Sequence, residues 1–199
     1  MNTGLFMQYL KEELRNKILQ TAINQFFKLG FEKTNMRIIA RNSHMTVGNL
    51  YRYFSNKEQL FSEVVRPVYD SVITLIDAGS SSYPHDFDNF SYLDPILKTL
   101  TNICETYRKE MVILISRYLE EQNDALLISL QQLIKKRIKR DLKQLSDEHV
   151  KMINHLLFRG VLFILQNSEV KEIESRLREF FIFIFKDIDK RLSFHQGAL

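Results

Sequence analysis

The chain has 199 residues, a length that holds one medium domain or two small ones. Hydrophobic residues make up 45% of it, which excludes wholesale disorder, and three prolines with six glycines are too few for the turns of a β protein. Net charge is +4 but uneven: residues 1–66 carry ten Lys/Arg against five Asp/Glu, and residues 67–199 carry 18 against 19. A positive surplus confined to the first third suits a polyanion-binding head on a near-neutral body.

Leu14, Ile18, Ala22, Phe26 and Leu29 recur at helical spacing and predict a first helix over about Gln8 to Leu29, closed by Gly30. Asn35 reads as the N-cap of a short second helix whose Met36, Ile39 and Ala40 face inward. Ser43-His44-Met45 breaks that helix, and Thr46 caps a third running to about Tyr53. Asn56 and Gln59 make a capping-box start for a fourth, in which Pro67 predicts a kink or a break. Gly79 to Asp94 is loop-like, and Asp94-Pro95 restarts helix. Further helices are expected over about 95–105, 107–121 and 123–144, then from Ser146 to about Gln166, and from a Ser168 cap to about Leu192. The fold class is therefore all-α.

The stretch 33–60 carries most information. Two short helices joined by a tight turn, the second with a polar and aromatic exposed face, form the layout of a helix-turn-helix. Thr46, Val47 and Asn49 occupy the first turn of the third helix, the part able to reach base edges: Asn can pair with adenine, and Val can touch a thymine methyl. Leu50 and Phe54 fall on the other side, as anchors to the core. Tyr51, Arg52 and Tyr53 offer hydroxyl and guanidinium donors, Lys57 adds charge at the start of the fourth helix, and Thr34 and Arg37 frame the second helix in the same way. These nine residues are the candidate DNA contacts.

Ala22, Phe26, Gly30, Thr34, Ile39-Ala40, Leu50-Tyr51, Tyr53-Phe54, Asn56-Lys57-Glu58 and Leu60 stand in one register. Together they resemble the N-terminal signature of the tetracycline-repressor (TetR) family over residues 14–64. At the turn the chain departs from the family's Ala-Gly-Val-Ser with Ser43-His44-Met45-Thr46, so His44 is expected in the left-handed conformation that glycine adopts freely. The resemblance implies a three-helix helix-turn-helix domain over 1–55 and a larger helical effector-binding and dimerisation domain over 56–199. It further implies a homodimer on a palindromic operator in double-stranded DNA, acting as a transcriptional repressor released by a small-molecule effector. The effector and its binding residues stay unknown.

The last two helices of family members pair with a second subunit, and the sequence suits this. Val150, Ile153, Leu157, Val161 and Ile164 form one stripe, Gly160 would let a partner helix approach, and Met152, Leu156 and Phe163 form a second stripe. Phe180 to Phe185 is apolar on every side and calls for burial on every side. The dimer interface is therefore expected at Val150, Ile153, Leu157, Gly160, Val161, Ile164, Phe181, Ile184 and Phe185.

Other classes find less support. There is no Gly-x-Ser-x-Gly, no phosphate loop and no His-Glu-x-x-His, so an enzyme is not expected, nor a cofactor. The one cysteine, Cys104, excludes an internal disulfide, the five histidines lack metal-ligand spacing with it, and no metal is expected. No apolar run reaches the roughly 18–20 residues of a membrane span, and the first ten residues lack the basic flank of a secretory signal. A cytoplasmic location follows as an expectation. The basic run Lys135 to Arg140 reads as solvated surface. The alternatives are a non-specific or architectural DNA binder and, behind it, a helical lipid-binding protein.

Overall fold

In a computed structural model, the described residues are 3–78, 94–120, 124–142 and 145–186. Among them there is no strand, as the composition demanded. The helices are α1 (Thr3–Lys33), α2 (Met36–Asn42), α3 (Val47–Tyr51), α4 (Lys57–Ala78), α5 (Asp94–Thr106), α6 (Arg108–Leu119), α7 (Ala125–Asp141), α8 (Asp147–Asn167) and α9 (Ile173–Phe185). They sort into two compact units, Met1–Tyr69 with Lys109–Glu121, and Asp70–Arg108 with Gln122–Leu199.

The first unit is built on the stripe of α1. Ile18, Ala22 and Phe26 are buried with Ile39, Ala40, Leu50, Phe54, Leu60, Phe61, Val64 and Val65. Three aromatic rings knit its centre: Phe26 stacks on Phe31 with centroids 5.6 Å apart, and Phe61 meets Phe31 edge-on at 5.2 Å. α1 is interrupted at Gly30, whose φ of 79° and ψ of 167° lie in a region essentially reserved for glycine. The last turn thus breaks from the axis there, and Phe31 folds back on Phe26.

Of the kink or break that the sequence predicted at Pro67, the break does not occur: α4 runs continuously through it. The proline ring is exposed, and its neighbours Val64, Val65 and Val68 are buried. The hydrogen bond lost is therefore on the solvent side, while burial of the other side holds the helix together.

In the second unit α9 packs on both α5 and α8, and α7 packs on α8. Ile138, Leu142, Leu145, Val150 and Ile153 form a buried cluster, with Ile134, Leu157 and Phe185 against it. Arg108 closes the end of α8 by donating to the carbonyl of Leu165 through Nε (3.0 Å) and Nη2 (2.6 Å), and to that of Ser168 (2.6 Å). The last helix does not start on a Ser168 cap as expected. Ser168 ends α8, and a 3₁₀ turn over Val170–Glu172 intervenes, with a capping box in which the Glu172 carboxylate accepts from the Glu169 N–H at 3.0 Å. α6 and α7, expected to 121 and 144, end at Leu119 and Asp141, while the predicted stretch of α9 beyond residue 186 and the loop 79–93 lie outside the described residues.

Candidate nucleic-acid interface

The helix-turn-helix is assembled from caps that the sequence announces. Asn35 Oδ1 accepts from the Ile38 N–H at 3.0 Å and opens α2. Thr46 Oγ1 accepts from the Asn49 N–H at 3.2 Å and opens α3. Between them His44 has φ 57°, the left-handed conformation expected of it, and Met45 N–H reaches back to the Ala40 carbonyl at 3.0 Å. A five-residue helix has no stability of its own. Leu50, fully buried, and Phe54, 1% exposed, hold α3 against the core. Asn56 Oδ1 accepts from Gln59 N–H at 2.7 Å, but Gln59 Oε1 returns to the Ser55 N–H at 2.6 Å, a capping box displaced by one residue.

The candidate contacts then divide. Arg37, Thr46, Tyr51 and Arg52 are exposed, and Val47, Asn49 and Tyr53 are half-buried. They lie together on α2, on α3 and on the turn after α3, which ends at Tyr51, so that Arg52 and Tyr53 belong to the turn. Thr34 lies elsewhere: it is buried, and its hydroxyl points at the carbonyls of Gly30 (2.8 Å) and Gln25 (3.2 Å). Its side chain ties the start of α2 to the end of α1. Lys57 is half-buried and also points inward. Its Nζ donates to the carbonyls of Phe31 (2.9 Å) and Thr34 (3.1 Å) and stands 4.1 Å from the centroid of the Phe31 ring. Arg41, exposed in the last turn of α2, was not singled out from sequence, because nothing in its spacing distinguishes it from a solvated charge.

The residues expected at a subunit interface divide as well. Val150, Ile153, Val161 and Ile164 are buried within the chain itself. Leu157 and Phe185 pack on the same internal cluster as Val150 and Ile153. Gly160 accommodates the ring of Phe180 from this chain's own α9, not a helix of a partner. Phe181 and Ile184 are half-buried. The apolar side chains left in solvent are instead Met152, Leu156 and Phe163 on α8, 54%, 44% and 63% exposed, and Phe183 on α9, 76% exposed. The second of the two α8 stripes faces out, because the first fills the unit's own core.

Residues 18–64 match the family model for bacterial regulatory proteins of the tetR family. Residues 18–64, about a quarter of the chain, thus form a domain of the TetR-family type. The chain is 27% identical over 96 residues to the "Uncharacterized HTH-type transcriptional regulator YfiR" of Bacillus subtilis strain 168, covering 48% of this chain and 47% of that protein. It is 42% identical over 50 residues to the "Probable acrEF/envCD operon repressor" of Escherichia coli K12, covering 25% of this chain and 23% of that one. The matched region thus spans about half the length of the first curated relative and about a quarter of the second. The solved structure of a TetR-family transcriptional regulator from Bordetella parapertussis 12822 superposes with a TM-score of 0.61 at 18% identity, over 86% of this chain and 94% of that one. That likeness extends the TetR fold beyond the family model's segment: an N-terminal helix-turn-helix followed by a larger helical portion.

No helix among the described residues is long and apolar enough to cross a membrane. Of the basic run on α7, Lys139 pairs with Asp147, and Arg137 donates to the Ile76 carbonyl at 2.5 Å. Burial pushes the Cys104 thiol up to about 12, with the charge of Glu105 adding to the shift.

Proposed function

We propose that this protein is a TetR-family, sequence-specific DNA-binding repressor that acts as a homodimer. The observation that carries the reading is α3 itself. A five-residue helix, capped by Thr46 and pinned from behind by Leu50 and Phe54, leaves Val47, Asn49, Tyr51 and Arg52 accessible beside the exposed Arg37. A short rigid helix presented end-first is what a major groove admits, and guanidinium and hydroxyl donors around it suit the flanking phosphates. Lys57 spends its ammonium on the Phe31 and Thr34 carbonyls and on the Phe31 ring, and so serves the interface by holding the start of α2.

The exposed Met152, Leu156, Phe163 and Phe183 supply the subunit contact, since α8 and α9 pack together and four large apolar side chains in solvent mark a surface that gets covered. A two-fold dimer places two copies of α3 on two half-sites about one turn of DNA apart, or a multiple of it, and so reads a palindrome. Repression is the direction favoured by the likeness to the E. coli operon repressor. Release by a small molecule in the second unit completes the scheme: such a ligand must bind the DNA-free form more tightly than the DNA-bound one. The function needs no catalysis and no cofactor, and it belongs where the chromosome is, in the cytoplasm.

The test is selection of bound duplexes from a random pool at physiological salt. A palindromic motif is expected; bulk binding without a motif, lost as salt rises, would make the protein a non-specific binder.

A further inference from the structure

Arg117 on α6 is the one buried charged residue among the described residues, 8% exposed, and its place is unusual. Its guanidinium carbon stands 3.9 Å from the centroid of the Phe31 ring, the same ring that holds Lys57 Nζ at 4.1 Å. Its Nη1 donates to Glu32 at 2.5 Å and to Glu120 at 3.2 Å. Phe31 and Glu32 belong to the last turn of α1, beyond the break at Gly30. Lys57 in turn grips the carbonyls of Phe31 and Thr34, which bracket the entry to α2. One aromatic ring thus joins a cation from α6 and a cation from α4 to the turn from which the helix-turn-helix hangs.

Stability is a poor reason for this residue. Arg117 Nε is buried with no hydrogen-bond partner, and an apolar side chain in its place would leave no such donor stranded. Phe31 is already anchored by Phe26 and Phe61. What an arginine adds is direction: a planar cation on the ring and a fixed pair with Glu32 set the orientation of the turn over 31–34, where packing alone would fix only its burial.

We propose that Arg117 is a positioning residue for DNA binding, holding Phe31 and Glu32 so that the Lys57 clamp and the start of α2 keep the geometry that α3 needs in the groove. The inference rests on the DNA-binding function proposed above. Arg117 is itself buried and touches no phosphate.

The test uses the full-length protein and the duplex recovered by selection with the wild type. Arg117→Gln should lower affinity for that duplex at least tenfold while the slope of log affinity against log salt stays unchanged, because no phosphate contact is lost. Amide exchange should rise in residues 31–42 and stay unchanged in α8. Arg117→Lys, which keeps a cation on the ring, should recover most of the affinity. Glu32→Gln, at an exposed position, should cost two- to fivefold and carries the test if Arg117→Gln fails to fold. Lys109→Gln, on the same helix but paired with Asn24, should bind as the wild type does. Affinity within twofold of wild type for Arg117→Gln, or for Glu32→Gln if it stands in, would overturn the proposal. So would a salt slope reduced by about one, which marks a lost phosphate contact. Failure of the wild type to select any motif would overturn the proposed function instead.

Discussion

The ring of Phe180 on α9 lies over Gly160 on α8, in the space that a Cβ at residue 160 would occupy. The glycine serves close packing within one chain. Gly160→Ala should therefore destabilise the protein by about 1 kcal/mol, as overpacking of about 1–3 kcal/mol outweighs the gain of about 1 kcal/mol in helix propensity. With Phe180→Ala in the background, the same substitution should be neutral or stabilising. Thermal or urea unfolding of the four members of this cycle measures the coupling, and additive effects would show that the two residues do not meet.

Phe163→Lys, at an exposed position, should convert dimer to monomer with the fold intact. Ile164→Val, its buried neighbour, should cost about 1 kcal/mol of stability and leave assembly unchanged. Sedimentation velocity and denaturant unfolding separate the two effects. A Phe163→Lys protein that stays dimeric would place the interface elsewhere.

Two positive φ angles in the first unit should respond in opposite ways. Gly30→Ala places a Cβ at φ 79°, ψ 167°, and should cost about 1–3 kcal/mol even though nothing stands within 4 Å of that Cβ. His44→Gly relieves a left-handed residue at φ 57° and should stabilise by up to about 1 kcal/mol, the gain being cut by the freedom glycine adds to the unfolded chain. Chemical unfolding of both variants decides it.

The Cys104 thiol, raised from an ordinary 9.0 to about 12, stays protonated in the folded protein where the unfolded chain has ionised. The sign follows: above pH 9 the unfolded state holds fewer protons than the native state, so stability falls as pH rises from about 9 towards 12, by up to about 1.4 kcal/mol per pH unit. Below pH 9 this contribution is fully present. Native protein should react slowly with a thiol reagent at pH 8, and unfolded protein rapidly. Cys104→Val should remove this part of the alkaline loss, as seen in unfolding curves at pH 8 and pH 10.

The helix-turn-helix was legible because its signals are local. Asn35 and Thr46 cap their own helices, Gly30 and His44 occupy the positive-φ positions the pattern demanded, and Leu50 and Phe54 are buried as their spacing required. Contacts that depend on distant parts of the chain were not. Nothing near Thr34 or Lys57 in sequence says that a buried hydroxyl and an ammonium would be taken up by carbonyls at the end of α1. The choice between the two stripes of α8 was likewise open, since both are apolar at helical spacing. Only the packing of α7 and α9 decides that Val150 and Ile153 turn inward and Met152 and Phe163 outward. Arg117, in an apolar helix, carries no sequence mark of the ring it sits on.

Base reading by α3 can be measured by passing wild-type protein and Asn49→Ala through the same selection from a random duplex pool. A palindrome is expected from the wild type and, from the variant, the same palindrome with preference relaxed at about one base pair per half-site, the weight of one bidentate contact of about 1–3 kcal/mol. An identical motif from both proteins would contradict the role given to Asn49, and no motif from the wild type would contradict sequence reading by α3 altogether.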